Sequence, residues 1–152
     1  QSSTLADNTG GGILISNYSP AIQNTIFARN HTANCSRTSS EINVNSSGYN
    51  LVDQVNQDSS TECSFTAPGD MVNQDAMLSA FGGYAGPTLT YGFQKGSPAI
   101  DALPEGDLSC PPDDQRGFAR PVDGDGDGVA KCDIGAYEDI QLYYIHLPVT
   151  LR

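Results

Sequence analysis

Short apolar runs alternate with polar turns through the first third of the chain. The runs at residues 13–15, 21–22 and 25–27 are separated by Asn, Ser and Gly, which supply the backbone angles of tight turns. Ile42 and Val44 then alternate with polar neighbours, which indicates a strand with one buried and one solvated face. Repeated at close intervals without helices, this pattern predicts the stacked short strands of a solenoid. A β-sandwich has a similar pattern, so the periodicity alone leaves both folds open.

Turns dominate the remainder of the chain until its last residues. Gly and Pro punctuate residues 63–92, and Asp, Gly and Pro are frequent in residues 110–138. Helical apolar spacing never continues for three turns, and the only helix we expect is a short one over residues 74–81. Residues 140–151 are apolar and aromatic almost without interruption. The sequence therefore predicts an all-β protein.

The charge of the chain excludes two classes of partner. Its 152 residues are enough for one domain with a core, and they include 18 acidic and 7 basic side chains, for a net charge of −11. A nucleic-acid-binding protein needs a basic surface to displace counterions from phosphates, and an anionic membrane repels an acidic protein. Divalent cations are the ligands that this charge favours.

Four cysteines occur, and none forms a Cys-x-x-Cys pair of the kind found in zinc and thioredoxin-type sites. We therefore expect two disulfides and an oxidising compartment. The chain begins with Gln1 and shows no apolar signal segment, so we expect a processed chain or a fragment whose export signal lies upstream.

Three segments in the second half carry a family resemblance. They are residues 86–90 with Gly-Ser-Pro-Ala-Ile-Asp at 96–101, residues 114–117 with Arg-Pro at 120–121, and Cys-Asp-Ile-Gly-Ala-Tyr-Glu at 132–138. In this order they resemble the choice-of-anchor Q domain at the C-terminal end of bacterial secreted right-handed parallel β-helix proteins. Residues 10–13, 24–27 and 48–51 are similar to the rungs that precede it. The resemblance covers roughly residues 10–138.

The resemblance implies a short right-handed parallel β-helix with a loop-rich, disulfide-bonded C-terminal cap, and we expect the apolar residues after it to form a tail strand. Rungs would occupy residues 1–62, the cap 63–138 and the tail 139–152. It also implies an extracellular or cell-surface location, no catalytic activity, and disulfides that join Cys35 to Cys63 and Cys110 to Cys132. A sortase signal is not intact, because Leu151 stands where the Leu-Pro-x-Thr-Gly pattern needs Gly.

The sharpest local signal is an acidic repeat. Asp123, Asp125 and Asp127 alternate with glycine, as the ligands do in the first half of an EF-hand-type calcium loop. Asp133 stands about where a later carboxylate is needed to complete the shell. We therefore predict a calcium site formed by these four residues. The alternative is a solvated acidic turn whose carboxylates repel one another.

Asp114, Arg116 and Arg120 form a second charged cluster close to the cysteines. A catalytic site would use Arg116 to bind a substrate carboxylate and Asp114 as a base, but we expect a structural Arg–Asp pair that pins the cap. His31 and His146 are isolated from any ligand pair or nucleophile, and no established catalytic motif is present. We therefore predict that the protein is not an enzyme.

Both the odd-numbered and the even-numbered positions of the tail carry apolar residues. As a strand the tail would therefore need both of its faces covered. It either packs across the core of its own chain or docks on another copy, and the first rung leaves open backbone groups that such a strand can pair. We expect head-to-tail self-association through that rung and four tail residues: Leu142, Tyr144, Ile145 and Leu147. The predicted function is an extracellular structural protein, a β-solenoid module of a cell-surface layer or self-assembling filament.

Two other functions stay open at this point. A carbohydrate-binding or adhesion module would use exposed aromatic rings, for which Tyr84 and Tyr91 are the best candidates. A polysaccharide lyase or hydrolase needs clustered carboxylates near a rung, and the only such cluster is Asp53, Asp58 and Glu62.

Overall fold

The computed structural model describes residues 1–55 and 61–140. These residues contain ten short strands and no helix. The strands are β1 (Thr4–Ala6), β2 (Ile13–Ile15), β3 (Ala21–Ile22), β4 (Ile26–Ala28), β5 (Cys35–Arg37), β6 (Asn45–Ser46), β7 (Leu51–Val52), β8 (Met71–Val72), β9 (Leu78–Gly82) and β10 (Thr90–Phe93). Within the described ranges no helix is present that is long and apolar enough to cross a membrane. The all-β prediction is confirmed.

Parallel pairing at a regular sequence interval organises the first eight strands. Sheet A has the order β1-β4-β7-β8, and two smaller sheets pair β2 with β5 and β3 with β6. In sheet A, Thr4 pairs with Ile26, Ile26 with Leu51 and Leu51 with Met71, so partners are 22, 25 and 20 residues apart. The sheets are short and separate and do not by themselves make a solenoid.

Left-handed residues mark the entry to and the exit from sheet A. Asn24 precedes β4 at a φ of 51°, and Tyr49 precedes β7 at 54°. Asp7 follows β1 at 56°, and Arg29 follows β4 at 55°. These residues change the chain direction without a long loop, and they recur at the interval of the strand pairing. The local backbone therefore repeats with the same period as the sheets.

Sheet A is buried on both faces. Ile26 and Ala28 of β4 point into one core with Leu78 and Ile134, whereas Phe27 between them points into a second core with Ile22. The second core lies between sheet A and the two smaller parallel sheets, and the first lies between sheet A and the chain after residue 75. The C-terminal region thus covers the side of sheet A.

The expected helix over residues 74–81 is wrong. Leu78 begins β9, which pairs antiparallel with β10, and the buried residues Ala76 and Leu78 are two positions apart as in an extended chain. Gln94 also donates a side-chain hydrogen bond to the carbonyl of Leu78, at 2.9 Å. This contact between distant residues overrides a weak local helix preference.

Both disulfides implied by the resemblance are confirmed. Cys35–Cys63 has a Cα–Cα distance of 5.4 Å, and Cys110–Cys132 has one of 5.9 Å. Cys35 and Cys63 both belong to the second core, and the second disulfide ties the loop at Cys110 to the segment that contributes Ile134 to the first core. Two disulfides indicate an oxidising compartment.

Candidate functional site

The acidic repeat forms a tight loop in which carboxylates bind backbone N–H groups. Asp123 accepts hydrogen bonds from the amides of Gly126 and Gly128, at 2.7 and 2.9 Å. Asp125 accepts one from the amide of Asp127, at 2.9 Å. The loop is therefore ordered by its own side chains, and the glycines allow the close approach that these bonds require.

Asp101 joins this loop from another part of the chain. Its carboxylate accepts hydrogen bonds from the amides of Gly124 at 2.9 Å, Asp125 at 2.7 Å and Lys131 at 3.2 Å. Carboxylate oxygens of Asp101, Asp123 and Asp125 all lie within 4.8 Å of one another. Burial raises the pKa of Asp101 above its ordinary value, against the lowering effect of the three amide bonds. A hard divalent cation is the ligand that such an oxygen cluster fits.

The predicted four-residue calcium site therefore needs correction. Asp123 and Asp125 lie in the cluster, but Asp127 and Asp133 do not belong to it. Asp127 instead accepts a hydrogen bond from the amide of Val129 at 2.7 Å and lies 3.5 Å from the Lys131 ammonium. Sequence spacing missed Asp101, because this residue ends the Gly-Ser-Pro-Ala-Ile-Asp segment 22 positions before Asp123.

Asp133 is fully buried in a separate carboxylate–arginine cluster. Its carboxylate accepts hydrogen bonds from the backbone amides of Asp101 and Asp139. The Glu138 carboxylate accepts them from the amides of Val122 and Asp133. Burial, with the nearby Glu138 charge, raises the pKa of Asp133 to about 8, and burial also raises the pKa of Glu138. These carboxylates are occupied in holding the backbone together and face no solvent.

Arg120 lies at the centre of this cluster. Its guanidinium donates to the carbonyls of Asp133 at 3.1 Å and Gly135 at 2.9 Å, and its Nε is 3.5 Å from the Glu138 carboxylate. Burial lowers the pKa of Arg120, and the carboxylates oppose that change. The guanidinium thus joins two turns of the C-terminal segment.

Asp114 and Arg116 form the neighbouring buried pair. Their charged atoms are 2.7 Å apart, and the side chains are 0% and 2% exposed. The Arg116 guanidinium lies 3.7 Å from the ring centroid of Tyr137 and donates to the carbonyl of Glu138. Both side chains are buried and paired with each other, and the arrangement supports the structural interpretation.

A groove follows the outer edge of β1. One part, with a volume of about 420 Å³, is lined by β1 and by residues of the β9–β10 hairpin, including Phe81 and Leu89. An adjoining part of about 520 Å³ continues past Thr4 to Gln1 and is bordered by the loop around Asp114. Phe81 and Leu89 are each 56% exposed, so the groove has an apolar wall.

The residues considered for other functions have structural partners. The Tyr91 hydroxyl donates to Asp7 at 2.6 Å beneath the Arg29 guanidinium, and the Tyr84 hydroxyl donates to the carbonyl of Ala80 at 2.6 Å. The Asp53 carboxylate accepts hydrogen bonds from the backbone amide of Arg29 and from the side-chain amide of Asn34, both at 2.6 Å. It therefore links neighbouring turns of the chain.

Several predicted residues lie outside the described part of the chain or away from one another. Glu62 forms an antiparallel bridge with Ser36, whereas Asp58 falls in the range 56–60, which is not described. The four predicted self-association residues also lie outside the described residues: Leu142, Tyr144, Ile145 and Leu147.

Comparison with known proteins found no matching family model, no matching curated protein and no matching solved structure.

Proposed function

We propose that this chain is an extracellular structural protein, a short parallel β-helix module that associates head-to-tail with other copies of itself. The observation that carries the proposal is the parallel pairing of strands in three sheets at intervals of 20 to 25 residues, with the first strand of each sheet, at one end of the stack, unpaired on its outer side by any described residue. Such an end exposes hydrogen-bonding groups that a further strand can satisfy.

The β-helix interpretation rests on agreement among the three parallel sheets. Ile13 pairs with Cys35 and Ala21 with Asn45, at intervals of 22 and 24 residues, close to the interval of 22 between Thr4 and Ile26. On this interpretation the first two circuits, β1–β3 and β4–β6, each visit the three sheets once, and the chain continues in sheet A through β7 and β8, with the second core as the interior. A right-handed course is expected, because crossovers between parallel strands are almost always right-handed.

A structural role agrees with how the charged residues are used. The buried arginines bind buried carboxylates and backbone carbonyls of the same segment, and they hold the turns of that segment together. An enzyme on this fold would need charges converging on an accessible groove. The extracellular location is the simplest compartment for a chain with two disulfides and a net charge of −11.

Sedimentation velocity over a wide concentration range, together with electron microscopy, tests self-association. We expect species larger than one chain whose mean size rises steadily with concentration and which form linear particles, because a head-to-tail contact propagates. A single species with the mass of one chain at every concentration contradicts the proposal.

Calcium is the second component of the proposal, and the chain offers a matched pair of variants to test it. Asp125→Asn removes one oxygen from the cluster with Asp101 and Asp123, whereas Asp127→Asn changes a neighbouring carboxylate outside it. We expect calcium to raise the melting temperature of the wild type and of Asp127→Asn. In Asp125→Asn we expect calcium to leave the melting temperature unchanged. An equal response of both variants to calcium and EGTA contradicts the assignment of the ligands.

A further inference from the structure

We infer that the groove along β1 is the acceptor site for residues 141–147 of a second copy, which add a parallel or antiparallel strand to sheet A. The inference rests on the proposed self-association and specifies the partner surface. The site is the outer edge of β1 together with Phe81 and Leu89 on one side, and the donor is the apolar tail.

The first step is the state of the β1 edge. β1 stands at the end of sheet A and pairs only with β4, so the backbone groups on its other side have no strand partner within the described ranges. Leu5 points into the second core from this strand, and Ala6 packs against the first. Both cores therefore extend to the open edge.

The second step is the chemistry that a strand at this edge must have. Alternate side chains of an added strand point to opposite faces of the sheet. One set would continue the first core beside Phe81 and Leu89, and the other set would continue the second core beside Leu5 and Ile13. An added strand therefore needs apolar side chains at both parities. An ordinary amphipathic strand would leave polar side chains over one of the two cores.

The tail meets this requirement. Leu142 and Tyr144 occupy one parity, and Tyr143, Ile145 and Leu147 occupy the other. Pro148 lacks an N–H group, so a paired strand ends before it, which leaves seven residues from 141 to 147. The two parts of the groove follow β1 from Gln1 to Asn8, a comparable length of chain.

Charge favours the same occupant. Arg152 is the only charged residue among 141–152 when histidine is neutral, so the tail carries +1 and the remaining chain, of the total −11, carries −12. Asp113 lies along the groove and Asp7 lies next to it. The acidic body therefore attracts the tail through Arg152.

The far end of the stack explains why the donor is a tail rather than another circuit of the helix. There, Glu62 forms an antiparallel bridge with Ser36 of β5, and the Cys63 amide donates to the Cys35 carbonyl at 3.2 Å. The disulfide between Cys35 and Cys63 holds this segment in place. A second copy consequently cannot offer three free parallel edges to the open end of the first.

Substitutions in the wall of the groove provide the first test. Leu89→Ser alters an exposed side chain and should leave the circular dichroism spectrum and melting temperature unchanged, whereas Phe81→Ser also removes a ring contact with Tyr91 and should lower the melting temperature slightly. We expect each to weaken self-association about tenfold, as loss of a central apolar contact does in interfaces. Leu108→Ser is the control, because Leu108 is fully exposed at 101% and lies outside the groove. Wild-type association that these groove variants leave unchanged overturns the inference and leaves the proposed function standing.

Cysteine crosslinking distinguishes a second copy from the same chain. All four native cysteines form disulfides, so Leu89→Cys and Ile145→Cys introduce free thiols at the acceptor and the donor. An equimolar mixture of the two single variants should give a crosslinked dimer, and Leu108→Cys mixed with Ile145→Cys should not. A crosslink confined to one chain in the double variant overturns the inference in favour of its own tail. A wild type that never associates overturns both the inference and the proposed function.

Discussion

The buried pair between Asp114 and Arg116 is the ionic contact whose loss should cost most. The Asp114 carboxylate accepts the Arg116 Nε–H at 2.7 Å and the backbone amides of Arg116, Phe118 and Glu138 at 2.7, 3.1 and 3.1 Å. Asp114→Asn keeps the shape of the side chain but removes its charge and places an NH₂ group against N–H donors. The substitution therefore leaves Arg116 buried without its counter-charge.

The size of the effect follows from burial. Removing one partner of a buried ion pair costs about 3–5 kcal/mol, because the other charge remains in a poorly solvated site. The Asp7–Arg29 pair has nearly the same separation, 2.8 Å, but its side chains are 44% and 40% exposed. Asp7→Asn should therefore cost no more than about 1 kcal/mol.

Urea unfolding at pH 7 with both disulfides intact measures the difference. We expect the free energy of unfolding to fall at least about 2 kcal/mol further in Asp114→Asn than in Asp7→Asn, with the urea dependence unchanged. Equal losses in the two variants would refute the view that burial, rather than the ion pair itself, sets the magnitude.

The pH dependence of this loss has a defined sign. Burial alone raises the pKa of Asp114, but the hydrogen bonds from Arg116 and the backbone amides outweigh it and hold that pKa below its ordinary value of 3.8. The stability from the carboxylate is present above the unfolded pKa and is lost as the pH falls through the folded pKa. The deficit of Asp114→Asn should be full at pH 7 and should shrink below about pH 4. A deficit that grows on acidification contradicts this assignment.

Two further substitutions test the packing of the C-terminal region. Gly135 and Gly128 both have left-handed φ values, but a Cβ on Gly135 would lie 2.8 Å from Ile26 Cδ1, whereas one on Gly128 meets nothing within 4 Å. Gly135→Ala should therefore lower the melting temperature more than Gly128→Ala, and equal shifts would argue against close packing on sheet A. Replacing Cys35 and Cys63 with Ser opens a loop with a sequence separation of 28, and urea unfolding should show a loss of about 3.5 kcal/mol. A loss below about 1 kcal/mol would indicate that the reduced chain keeps this loop closed by packing.

Much of the fold could be predicted because it depends on neighbouring residues. Alternation of apolar and polar residues indicated strands, and the acidic repeat placed Asp123 and Asp125 in one loop. The disulfide pairing came from a motif resemblance and agrees with the structure. The strands and the acidic loop depend on information within a short stretch of chain, whereas the disulfides, which join cysteines 28 and 22 residues apart, could be paired only through the motif.

The errors share a different cause. Asp101 lies in the acidic cluster and Asp133 lies outside it. Both positions depend on contacts between residues that are distant in sequence. Alternation likewise cannot indicate that Leu78 pairs across a hairpin rather than within a helical turn, since two apolar residues near each other satisfy both patterns. The double burial of sheet A was also missed, because a strand of two or three residues is too short to display both faces.

The contact between the start and the end of the described chain has a consequence for the order of folding. The Ala136 amide donates to the Thr4 hydroxyl at 3.1 Å, across 132 residues of sequence, and Gly135 donates to the carbonyl of Asn24 at 3.0 Å. Loops this long close late, and until they close one face of sheet A lies open to water. The first strands therefore cannot reach their final packing until residues 135 and 136 have been synthesised, so the order of synthesis does not set the order in which this part of the protein folds.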